Sequence, residues 1–98
     1  MKYKIAFLPE AKADAEEIRQ YLSQYYESTV RNFFTMLKKR TNLLKSNPFM
    51  APPYQDRPVY RQLVVEEYLV FYKVDEGNQS IKIHRILHES KEIDRYIH

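Results

Sequence analysis

The chain has no cysteine, a single glycine among 98 residues, and no apolar run longer than a few residues. Without cysteine there can be no disulfide scaffold, no thiolate metal site and no cysteine nucleophile, and nothing points to an oxidising compartment. One glycine cannot build a Gly-rich phosphate loop. The opening Met1-Lys2-Tyr3-Lys4-Ile5 lacks the apolar core of a signal peptide, so neither export nor membrane spanning is expected and the cytoplasm is the expected compartment. What the chain does have is 44% hydrophobic residues, including nine tyrosines and five phenylalanines, too apolar and aromatic for a disordered segment. A chain of this length buries one core, and a single domain over residues 1–98 is expected.

The net charge of +3 is unevenly spread: −1 over residues 1–27, +6 over 28–64 and −2 over 65–98. A basic centre suits an anionic partner, a nucleic acid or an acidic protein segment; a solvated helix flank has the same signature.

Tyr3 to Leu8 reads as a short strand ending at Pro9, which suits the first turn of a helix. Glu10, Asp14, Glu16 and Glu17 crowd that helix start, where the dipole favours negative charge, and Ala11, Ala15, Ile18, Leu22 and Tyr25 form one apolar face. Ser28 is the expected N-cap of a second helix, with a stripe of Val30, Phe33, Phe34, Leu37, Thr41 and Leu44 running to Asn47-Pro48. The short connection makes the two helices an antiparallel hairpin. Arg31, Lys38 and Lys45, seven apart, mark a basic flank with Lys39 and Arg40 beside it. Pro48, Pro52, Pro53 and Pro58 predict a loop from Asn47 to Pro58 without regular structure. Three strands follow, Tyr60 to Val65, Tyr68 to Val74 and Ile81 to His88, as an antiparallel meander, and Lys91 to Ile97 allows one or two helical turns. The fold class is α+β: an N-terminal strand and a helix hairpin packed on a mainly antiparallel four-stranded sheet.

If Glu66-Glu67 is a two-residue hairpin loop, Val65 pairs with Tyr68, Leu63 with Val70 and Arg61 with Tyr72. One face then carries Arg61, Leu63, Val65, Tyr68, Val70, Tyr72 and Val74, the other Tyr60, Gln62, Val64, Leu69, Phe71 and Lys73. Both faces are largely apolar, so one takes the helices and the other is left for the C-terminal segment, a partner or a shallow site. Arg61 and Arg85 stand among apolar strand neighbours, where a guanidinium needs a carboxylate, a phosphate or carbonyls to offset desolvation. An external anion and an internal acid satisfy that need equally well. His84 and His88, four apart, are expected on one face with Lys82 and Ile86, able to move a proton beside a phosphate-holding cation or to serve as ordinary strand histidines. No third ligand has recognisable spacing near them, and neither a metal nor a cofactor is expected.

The order strand, helix hairpin, loop, meander, with Phe7-Leu8-Pro9-Glu10-Ala11, Leu44-Lys45-Ser46-Asn47-Pro48, the run from Arg61 to Asp75 and Ile83-His84-Arg85-Ile86-Leu87-His88, resembles the RelE/ParE toxin superfamily over nearly the whole chain. The resemblance implies a small bacterial toxin of the plasmid-stabilisation type, neutralised by a cognate antitoxin with which it forms a hetero-oligomer. ParE-like members are thought to poison DNA gyrase; RelE-like members cleave mRNA on the ribosome. Arg61, Arg85 and His88 fall on recurring family positions and would be the catalytic set of a nuclease, Arg61 in the ParE-like arrangement. In that reading Arg31, Lys38, Lys39 and Lys45 would contact nucleic acid. Val64 and Leu69 stand where RelE-like nucleases tend to carry arginines, which favours a gyrase-directed toxin, with a ribosome-dependent endonuclease as the alternative and a non-toxic binding module as the third reading.

Overall fold

The computed structural model describes residues 2–97. The elements run β1 (Lys4–Phe7), α1 (Pro9–Leu22), α2 (Glu27–Leu43), β2 (Pro53–Tyr54), β3 (Arg57–Val65), β4 (Tyr68–Asp75), β5 (Ser80–His88) and a 3-10 turn (Ile93–Arg95). The strands form one mixed sheet in the order β1-β5-β4-β3-β2, with β1 parallel to β5 and every other pairing antiparallel.

Pro9 forces Leu8 into extended backbone and then supplies a preset φ for the first turn of α1. Ala11 and Ile18 are buried, and Ala15 and Leu22 are half-buried. Tyr25 lies beyond the helix end in the hairpin connection and is exposed, so the expected apolar face stops at Leu22. In α2 the cap is Tyr26 rather than Ser28, without a side-chain hydrogen bond, and Glu27 supplies the negative charge of the first turn. Phe33, Leu37, Thr41 and Leu44 are buried as the stripe requires. Regular helix ends at Leu43, and turns carry the chain on to Asn47.

The register of β3 against β4 is the expected one, Arg61 opposite Tyr72, Leu63 opposite Val70 and Val65 opposite Tyr68. Leu63, Val65, Tyr68, Val70, Tyr72, Ile81, Ile83 and Ile86 pack with the helices into the main core. Each such side chain, fully buried, contributes roughly 1.5–3 kcal/mol. Tyr60, Phe71 and Leu87 face the other way and are covered by Ile97, brought there by a single 3-10 turn.

Two expectations need correction. The sheet has five strands, not four: Pro53–Tyr54 pairs with β3, which itself begins at Arg57 and runs through Pro58. Proline lacks a donor but keeps its carbonyl, and Pro52 accepts the Gln62 N–H at 3.0 Å on this sheet edge, so the proline-rich segment pairs through its acceptors. His84 and His88 also do not share a face. The pairing slips by one residue between Phe71 opposite Arg85 and Tyr72 opposite Ile83, a bulge that leaves His84 unpaired. Lys82 and His84 therefore lie on the face of Lys73 and Tyr60, whereas Ile86 and His88 lie on the helix side with Val70 and Tyr68.

Candidate functional site

β1 ends at Phe7, and its last link to β5 is the Leu8 N–H donated to the Ile83 carbonyl. Beyond that point the β5 edge has no strand neighbour, and α1 packs against it instead. Asp14, buried on the inward side of α1, accepts the Arg85 Nε–H at 2.8 Å, the Arg85 Nη2–H at 2.9 Å and the Ile86 backbone N–H at 2.9 Å. Glu10 lies 3.6 Å from Arg85 Nη1, and the Tyr96 ring covers the guanidinium at 5.2 Å. The Asp14 hydrogen bond raises the pKa of Arg85 further above its already high value. Arg85 is thus spent on joining α1 to the sheet.

Arg61 is occupied at another end of the molecule. Its Nη1 donates to the Ala51 carbonyl at 2.6 Å and the Phe49 carbonyl at 3.4 Å, and its plane lies over the Phe49 ring. Opposite it, the buried Tyr72 hydroxyl donates to the Pro48 carbonyl at 2.9 Å. The pair holds the loop leaving α2, whose carbonyls satisfy the half-buried guanidinium.

His88 lines a cleft of about 290 Å³ between α1 and the end of β5, with Asp14, Glu17, Tyr21, Tyr68 and Lys91 among its walls. The Ser90 N–H donates to His88 Nδ1 at 3.1 Å, with Ser90 Oγ 2.8 Å from the same nitrogen, which assigns the ring proton to Nε2, 3.5 Å from Glu67. The Tyr68 ring meets His88 edge-on at 5.1 Å, and burial raises the Tyr68 pKa.

The structure does not gather Arg61, Arg85 and His88 into one centre. Arg61 faces Tyr72 on β4 while His88 faces Tyr68, four positions further along and on the opposite neighbouring strand, a separation of about 13 Å along the strand direction alone. Of the expected basic flank, Arg31, Lys38 and Lys39 are exposed along α2 and Lys45 is half-buried, its carbonyl accepting the Tyr3 N–H. Asp14 is the residue whose role sequence reasoning missed, having read it only as one of four acids at a dipole-favoured helix start. Its signal was its place between Ala11 and Ile18 on the apolar stripe, where a carboxylate must have a partner. Among the described residues no three metal-ligating side chains converge, and no helix is long and apolar enough to cross a membrane.

A family model for the ParE toxin of type II toxin–antitoxin systems matches residues 5–93, from β1 into the 3-10 turn. The chain belongs to the ParE toxin family. Its fold is that of several toxin–antitoxin structures. A chain of the chromosomal ParDE system of P. aeruginosa superposes with a TM-score of 0.75 at 17% identity, covering 89% of this chain and 96% of that one. The RelBE2 toxin–antitoxin complex of Mycobacterium tuberculosis gives a TM-score of 0.65 at 14% identity, covering 90% and 99%. The intact E. coli RelBE complex gives 0.65 at 13%, covering 91% and 99%. No curated protein sequence matches. Within this ParE-family chain both helices and the whole meander fall inside the matched span, so Asp14, Arg61, Arg85 and His88 are all part of the family domain.

Proposed function

We propose that this ParE-family protein is the toxin of a type II module, acts on DNA gyrase by binding rather than by cutting RNA, and is neutralised by a cognate antitoxin. The observation that carries this reading is the occupancy of the two arginines: Arg85 is held by Asp14, and Arg61, well apart from His88, by the carbonyls of Phe49 and Ala51. Metal-free RNA cleavage needs a cation on the phosphate and a proton donor at the leaving oxygen within one site. Here both arginines are framework, which supports a toxin whose effect comes from its surface.

In this reading the antitoxin is an acidic segment, disordered alone, that folds along the basic flank of Arg31, Lys38, Lys39 and Lys45. Purified toxin added to gyrase should abolish supercoiling or trap cleaved DNA, and the Arg61→Met variant, if folded, should retain the effect. Normal gyrase turnover at saturating toxin, together with new mRNA 5′ ends after induction that vanish in His88→Ala, would replace this reading with the ribosome-dependent endonuclease.

A further inference from the structure

The end of the molecule where α1 gives way to α2 carries three tyrosines that take no part in either apolar cluster. Tyr21 is 50% exposed, Tyr25 58% and Tyr26 78%. Regular helix ends at Leu22, yet the backbone keeps turning: the Ser23 N–H donates to the Arg19 carbonyl at 3.0 Å and the Tyr25 N–H to the Leu22 carbonyl at 3.0 Å. Tyr25 therefore stands one turn beyond Tyr21 on the same side, as positions four apart do on a helix. Tyr26 then takes extended backbone at the start of α2 and leaves that line.

The side chains of Tyr21 and Tyr25 meet at their hydroxyl ends. Their oxygens lie 3.3 Å apart and their ring centres 5.8 Å, with the ring planes inclined at 71°. The Tyr25 hydrogen bond raises the pKa of Tyr21 above the ordinary tyrosine value, so its phenol keeps its proton in neutral water. A bond between the ortho carbons of two phenols needs this same arrangement. The hydroxyls must lie side by side, flanking the new bond, and the rings must be twisted because their ortho groups crowd each other. Both side chains are open to a one-electron oxidant from solution.

We propose that Tyr21 and Tyr25 are an oxidative cross-linking site, joined as dityrosine when a haem peroxidase oxidises this chain with hydrogen peroxide. Each phenol gives up one electron and its proton, and the two radicals form a carbon–carbon bond between their Cε atoms. Each of those carbons then releases its hydrogen as a proton while each oxygen regains one, which restores both aromatic rings. The chain has lost two hydrogen atoms, and these reduce one hydrogen peroxide to two waters. The link ties the last turn of α1 to the connection before α2 and fixes Tyr21, a wall of the cleft that His88 lines. It requires neither gyrase nor an antitoxin and stands apart from the functional reading above.

The test treats the full chain, dilute enough to limit encounters between copies, with a haem peroxidase and hydrogen peroxide. Residues 20–31 are a single tryptic peptide that contains all three tyrosines. The product should be a monomer with dityrosine fluorescence, two hydrogen atoms lighter than the parent. Its tryptic peptide should resist fragmentation between Tyr21 and Tyr25 while still breaking between Tyr25 and Tyr26. Tyr21→Phe and Tyr25→Phe should each lose the monomeric product; Tyr26→Phe, which removes the most exposed of the three rings, should keep it. The parent in urea should give less of it, because the turn that aligns the rings is gone. Fluorescence confined to covalent dimers, closure through Tyr26, or an undiminished monomer yield from Tyr21→Phe or from the unfolded chain would overturn the proposal.

Discussion

The Asp14 carboxylate takes three N–H donors at once, two from Arg85 and one from the Ile86 backbone, and so fastens α1 to the open edge of β5 across more than 70 positions of sequence. One side chain completes the ladder where β1 has run out and neutralises the Arg85 guanidinium there.

Truncating Asp14 leaves the Ile86 amide without its acceptor and the Arg85 guanidinium with only the exposed Glu10 at 3.6 Å. Asp14→Ala should destabilise by about 2–4 kcal/mol. The double variant Asp14→Ala/Arg85→Met should lose clearly less than the sum of the single losses. Urea denaturation of the four proteins checks this, and strict additivity would mean that the pair does not interact.

Tyr72 and Arg61 hold the loop after α2 through three carbonyls. Tyr72→Phe should cost about 0.5–1.5 kcal/mol globally. Arg61→Met should act more locally, speeding limited proteolysis at Phe49 and Met50, both already exposed. Unchanged cleavage kinetics would show that the loop is held by its prolines alone.

The first residue of the β3–β4 turn, Glu66, adopts φ 55°, in the left-handed region that costs a non-glycine residue about 1 kcal/mol. Glu66→Gly should raise the denaturation midpoint modestly, since relief of that cost exceeds the added freedom of the unfolded chain. A lowered midpoint would show that the glutamate side chain contributes more than its backbone costs.

His84 has its pKa held below the ordinary histidine value, first by burial and then by Lys73, with Lys82 adding to the effect and Glu10 opposing it. The unfolded chain therefore binds the proton more readily than the folded one. Stability should fall as pH drops below about 6.5, and the loss should level off below the folded-state pKa. Unfolding free energies measured from pH 8 to 5 should show a smaller decline in His84→Gln than in the parent.

Much of the fold was legible because its signals are local. Pro9 marks the start of α1, the spacing of Phe33, Leu37 and Thr41 gives the buried side of α2, and Glu66-Glu67 sets a register that then places every β3 and β4 side chain. The second histidine of the pair was misplaced because alternation assumes an unbroken strand, and a bulge carries no residue signature of its own at His84. The roles of Arg61 and Arg85 were legible only as a need for partners. Which partner answers depends on contacts made 10 and 71 positions away, which no local pattern encodes.

β5 holds one residue more than its ladder with β4 can use. Excising His84 would leave Ile83 opposite Tyr72 and Arg85 opposite Phe71 in seamless succession, with the pairings of Ile86, Leu87 and His88 preserved. The supernumerary position therefore does not serve the core. It supplies slack, letting the chain step outward just where β1 stops, so that Arg85 and the following amide can turn sideways to meet a helix instead of a strand.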